Sequence, residues 1–198
     1  GKGIIDPSVV DHYLIFGALL GAIAWNVVTW YYGIPSSSSH ALIGGIVGAA
    51  IAKAGGGTET LIGAGIWKTV AFIIISPLFG YILGSLTLVL VAWICRNKTQ
   101  RRVDKWFRRL QLCSAALYSL GHGGNDAQKT VGIIWMLLIA AGVTAHNDPV
   151  PIWVVVLCYM AIGLGTLFGG WRIVKTMGQR ITKLKPVGGF CAETGGAI

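Results

Sequence analysis

Two polar clusters lie inside otherwise apolar sequence. Pro35-Ser36-Ser37-Ser38-Ser39-His40 separates two apolar stretches, and Gly123-Gly124-Asn125-Asp126-Ala127-Gln128-Lys129-Thr130 interrupts another. An apolar medium penalises unpaired polar groups, so these side chains must face protein, water or a bound solute. Ionisable groups in such surroundings mark functional sites by default.

The serine run suits anion binding. A helix beginning near Ser36 to Ser38 directs free backbone N–H groups and the positive end of its dipole outward. Neighbouring hydroxyls donate further hydrogen bonds, and the sum is an anion site that needs no formal positive charge. His40, about one turn in, could add a donor or a proton. A plain helix cap with spare serines is the competing reading.

The second cluster suits a cation, a proton or an ion pair. The Asp126 carboxylate beside the Asn125 amide offers the oxygen ligands that hard cations prefer. Burial could instead raise the Asp126 pKa until it carries a proton. A simple Asp126–Lys129 pair at i,i+3 is the structural alternative. Gly121, Gly123 and Gly124 would let the backbone open or another helix approach, and His122 reads as a packing or hydrogen-bonding residue.

The elements that position these clusters are membrane helices. Of 198 residues, 54% are hydrophobic and 12% charged, where soluble domains carry about 25% charged residues. A spanning helix needs about 20 mostly apolar residues. His12 to Tyr32, Thr69 to Cys95 and Val150 to Gly170 meet that length, and Leu110 to Thr144 does so with the Asn-Asp cluster inside. Residues 34 to 52 make a shorter, glycine-rich fifth stretch. The fold class that follows is an all-α integral membrane protein, a polytopic helical bundle.

Charge sets the topology. The net charge of +9 concentrates in Arg96 to Arg109, with seven Lys or Arg and one Asp, and in Trp171 to Lys185, with five and no acid. Both runs adjoin apolar spans, as cytoplasmic loops do, so they indicate orientation and contact with membrane lipid rather than a nucleic-acid partner. Residues 145–149 and 55–68 are then external. For 12–54, two full spans and a re-entrant hairpin from outside satisfy the charge bias equally. The hairpin is preferred because Pro35 disfavours a helical Ile34 and the serines can start a fresh helix.

Cys95, Cys113, Cys158 and Cys191 lack metal-ligand spacing and read as packing residues; no metal centre or cofactor is expected. Gly17/Gly21, Gly44/Gly48, Gly80/Gly84 and Gly165/Gly169 have the spacing that permits close helix approach, and Pro77 should kink its helix. Trp and Tyr residues gather near span ends, as interfacial belts do. Gly1-Lys2-Gly3-Ile4 before Pro7 echoes Gly178-Gln179-Arg180-Ile181 before Pro186, on opposite sides of the membrane. An inverted-topology repeat would leave such a pair. An opening on Gly1 without Met, and a close in mid-pattern, suggest a piece of a longer protein.

The segments PSSSSHALIGGIVGAAI and GHGGNDAQKTVGII resemble the paired motifs of the inorganic phosphate transporter (PiT) family. Ile4-Ile5-Asp6-Pro7 and Lys183-Leu184-Lys185-Pro186-Val187-Gly188-Gly189-Phe190 extend the likeness along most of the chain. The resemblance implies two inverted repeats, each with an Asn-Asp helix and a Ser/Thr-rich re-entrant hairpin. Residues 1–95 are then the C-terminal part of the first repeat, 96–109 a cytoplasmic basic loop, and 110–198 the N-terminal part of the second. The first Asn-Asp motif and the second hairpin would lie outside the chain, leaving half the site.

The resemblance implies symport of inorganic phosphate with Na⁺ or H⁺ across the cell membrane, not enzymatic catalysis. Ser37, Ser38, Ser39, Asn125, Asp126 and Thr130 would bind substrate. Asn125, Asp126 and Gln128 would bind the coupling ion, with Lys129 a weaker candidate. The rival transporter is a sulfate or other oxyanion permease, since a helix N-terminus separates tetrahedral oxyanions poorly. A channel would need no second ion, and an enzyme would need a Ser-His-Asp geometry that nothing in the sequence places. The oligomeric state stays open, a homo-oligomer included.

Overall fold

The computed structural model describes residues 3–145, 147–182 and 185–197. Among them the chain is helical, with no strand beyond a single antiparallel bridge between Ile5 and Leu61. The helices are α1 (His12–Tyr32), α2 (Ser38–Lys53), α3 (Gly63–Cys95), α4 (Gln100–Ala140), α5 (Ile152–Gly169), α6 (Trp171–Lys175) and α7 (Pro186–Ala197). A short 3₁₀ turn, Pro7–Val9, precedes α1, and a π-helical segment, Thr176–Ile181, follows α6. Parts of the two echoed segments (Gly1, Lys2, Lys183 and Leu184) and His146 of the 145–149 connection lie outside the described residues.

Three helices, α1, α3 and α5, are long and apolar enough to cross a membrane. Only 6% of the apolar window of α3 is buried inside the protein, a surface that lipid tolerates and water does not. The chain is a multi-pass membrane protein. The expected fourth span is helical as far as Ala140, but its central polar cluster keeps it out of that set. The fifth stretch forms α2, whose 16 residues reach about 24 Å, short of a hydrocarbon core of about 30 Å.

α4 begins at Gln100, so within the basic segment 96–109 only 96–99 is non-helical. No Gly or Pro interrupts 100–110, and Arg, Lys, Leu and Gln are good helix formers. The glycines of 121–124 do not open the backbone, because α4 runs through them unbroken. Pro77 lies inside α3.

The described chain divides into two compact units, Gly1–Val70 with Asp126–Met177, and Ala71–Asn125 with Gly178–Ile198. Each is discontinuous in sequence.

In the first unit, α1 and α2 form a tight antiparallel hairpin. Its turn is local chemistry: Gly33 ends α1 in the left-handed region at φ 68°, which glycine adopts without a steric penalty. Ile34 to Ser37 are non-helical, as the residue before Pro35 requires. At the crossing, a Cβ on Gly45 would stand 2.3 Å from the Ala18 carbonyl oxygen. Thus the close approach on α2 is at Gly45, and Gly44 and Gly48 face open space. The open end is tied by Asp6 N–H to Thr60 O and Ile62 N–H to Ile4 O. Ala127, Val131, Val154 and Cys158 form the α4–α5 core of this unit.

In the second unit, Val91, Phe107 and Cys191 form a core joined by Cys95, Val103, Val187 and Phe190. Phe107 and Phe190 meet edge to face at 5.1 Å, and Ser114 donates to Glu193 at 2.5 Å. Cys158 and Cys191 are the buried cysteines, and Cys113 is exposed.

Candidate functional site

The site begins with the start of α2. Ser37 is its N-cap and accepts the His40 N–H at 3.3 Å. Ser36 accepts the Trp25 indole N–H at 3.1 Å, which holds the serine segment against α1. Ser38 opens the helix with an exposed side chain, and Ser39 is partly buried. Four serines in a row thus divide into a tether, a cap and two hydroxyls at the first turn.

Ser39 meets the second cluster. Lys129 donates to Ser39 Oγ at 2.5 Å and to Asp126 Oδ1 at 2.7 Å. The i,i+3 ion pair therefore exists, yet it is not an isolated surface pair. The same ammonium reaches the serine run 90 residues away in sequence. Ala127, between the polar residues, is fully buried against α5, which fixes the rotation of α4. Asp126, Lys129 and Thr130 then share one face at helical spacing.

Lys129 and Gln128 also line an open-sided cavity of about 720 Å³ in the first unit. The rest of its wall is apolar, with Leu14, Ile15 and Ile46 from the hairpin and Ile133 from α4. A few convergent polar groups in an apolar hollow is the usual form of a small-molecule site.

Of the expected residues, Ser37, Ser39 and Asp126 are held by defined hydrogen bonds. Ser38, Asn125, Gln128 and Thr130 have exposed side chains. His40 is exposed at the first turn. Among the described residues no group of three His, Cys, Asp or Glu is assembled to hold a metal ion. The Asp126 carboxylate is an oxygen donor of the kind a hard cation prefers.

Two contributors carry little signal in the sequence. Lys129 ranks low there, although a lysine in an apolar segment needs a partner, and that was the available cue. Arg172 reads only as an orienting charge. In the structure it donates to the Tyr31 carbonyl at 2.6 Å and lies over the Trp30 and Tyr31 rings at 5.0 and 5.5 Å. Trp30 in turn donates to the Gly169 carbonyl at 2.8 Å. The end of α1, just before the serine run, is therefore fastened to the α5–α6 junction.

The model of the "Phosphate transporter family" matches residues 1–102 and 95–198. A probable low-affinity inorganic phosphate transporter of Rhizobium meliloti is 58% identical over all of this chain and 59% of its own length. One of the same description from Bacillus subtilis is 48% identical over 100% of the chain and 60% of its own length. A Mycobacterium tuberculosis relative is 43% identical over 99% of the chain and 47% of its own length. The chain thus spans about half to three-fifths of these curated relatives. No solved structure matches it.

Proposed function

The chain belongs to the phosphate transporter family, and on that premise we propose that its parent protein carries inorganic phosphate across the cell membrane by cation symport. It is a carrier rather than an enzyme in this reading. The observation that carries the proposal is the Ser39–Lys129–Asp126 chain, which joins an anion-binding helix start to a cation-binding carboxylate.

Phosphate oxygens sit at the first turn of α2, against the hydroxyls of Ser37, Ser38 and Ser39 and the helix dipole. Asn125 and Thr130 add hydrogen bonds, and Lys129 supplies the full positive charge. When Lys129 turns to phosphate, Asp126 loses its ammonium partner. A Na⁺ at the carboxylate, or a proton, replaces that charge. Loading of anion and cation then favour one another, as symport requires. The coupling is needed because entry of an anion into a negative-inside cell costs about 2.3 kcal/mol per charge per 100 mV.

The short α2 supports a re-entrant rather than a spanning hairpin. The two matched stretches, meeting within 95–102, support a chain built from parts of two repeats. Motion of one repeat bundle against the other would expose the site alternately.

The test is uptake of labelled phosphate by proteoliposomes holding the full-length parent, under separate Na⁺ and H⁺ gradients. Gradient-driven uptake that Asp126→Asn abolishes is the expected result and identifies the ion. Uptake that proceeds equally without either gradient sinks symport. Competition by sulfate at the concentration effective for phosphate would move the substrate to oxyanions in general.

A further inference from the structure

The first three turns of α4 carry a one-sided basic surface. Arg101, Arg102, Lys105, Arg108 and Arg109 are all exposed. At 100° per residue they fall within an arc of about 120°. The opposite side of the same turns is the buried one. Val103 and Phe107 enter the core with Val91, Cys95 and Cys191, and Ser114, farther along that side, bonds Glu193 of α7. Among the described residues none of the five cations makes an ion pair.

Their height relative to the membrane follows from the same core. Val103 and Phe107 pack beside Val91 and Cys95, so the basic turns lie level with the end of the α3 span. The outer surface of α3 there is apolar and exposed at Leu88, Val89, Leu90, Trp93 and Ile94. Trp93 and Trp106 are both exposed at this level, and Arg96 lies over the Trp93 ring at 5.4 Å. Apolar surface, tryptophans and cations at one height are what the acyl–headgroup boundary selects.

We propose that this face of α4 is a binding surface for acidic phospholipid headgroups. Arginine forks match phosphate oxygens geometrically. The cations run along about 12 Å of helix rather than converging on a point, which fits several headgroups in a row and not one small anion. A nucleic acid would meet the lipid-facing wall of α3 at the same level, and is disfavoured for that reason.

The test is native mass spectrometry of the full-length parent titrated with phosphatidylglycerol or with phosphatidylcholine of the same acyl chains. A preference of about tenfold or more for the acidic lipid is expected, falling with added salt. Changing all five cations to Gln should reduce it to within about twofold. Neutralising them can also upset topology, so a second variant changes the four arginines to Lys. It should keep most of the preference and its salt dependence. Equal retention of both lipids, a preference that the Gln variant keeps, or one that salt leaves unchanged would overturn the proposal. So would displacement of the lipid by millimolar inorganic phosphate, which would make the face a site for soluble anions.

Discussion

Lys129 stands 2.5 Å from Ser39 and 2.7 Å from Asp126, so a single ammonium links the two polar motifs of the chain. It has three donors, and these two bonds use two of them.

Lys129→Met removes that link without changing the length of the side chain greatly. Hydrogen bonds to a charged group are worth about 1.5–3 kcal/mol, so phosphate affinity in the full-length parent should fall by about 10- to 100-fold. The rise in KM for labelled phosphate checks this, and Lys129→Arg should recover part of the loss. An unchanged KM in the Met variant would remove Lys129 from the substrate site.

The break after α1 and the serine cap of α2 were legible because their causes are local. Gly33, Pro35 and Ser37 each impose one backbone preference, and the structure obeys all three. The Ser39–Lys129 contact was not legible, since it depends on how α2 and α4 pack. The helical form of the basic segment lay in spacing rather than in charge: five of its seven cations (i, i+1, i+4, i+7, i+8 from Arg101) follow a helix.

Gly45→Ala tests the hairpin crossing. Its Cβ would come within 2.3 Å of backbone at Ala18, and such overpacking costs about 1–3 kcal/mol. The thermal midpoint of the parent in detergent should fall. Gly44→Ala faces open space and should be neutral or slightly stabilising. Equal midpoints for the two variants would mean that α1 and α2 do not pack this closely.

Acid should loosen the base of the hairpin. Lys53 bonds Asp11 at 2.7 Å, and with the Leu14 N–H it holds that carboxyl below its ordinary value. Asp6 is lowered too, by the Ser8 N–H and hydroxyl. A depressed carboxylate stabilises the fold above its unfolded pKa, near 3.9, and that stability is lost as pH falls through the folded value. The thermal midpoint should therefore be flat above about pH 5 and drop below about pH 4. Asp11→Asn should lower it at neutral pH and shrink the acid drop.

Arg172 should matter more than an orienting charge would. It serves three partners at once: the Tyr31 carbonyl and the Trp30 and Tyr31 rings. A cation at the end of α1 also meets the negative pole of that helix. Arg172→Gln should cost about 1.5–3 kcal/mol of stability. Arg172→Lys keeps the charge, and therefore the topology signal, but lacks the planar fork that bonds and stacks together. If orientation were its whole role, Lys would behave as wild type in both thermal midpoint and phosphate uptake. Because the residue fastens the helix that leads into the serine run, the Lys variant should instead lower the midpoint and raise KM for phosphate while inserting in the native orientation.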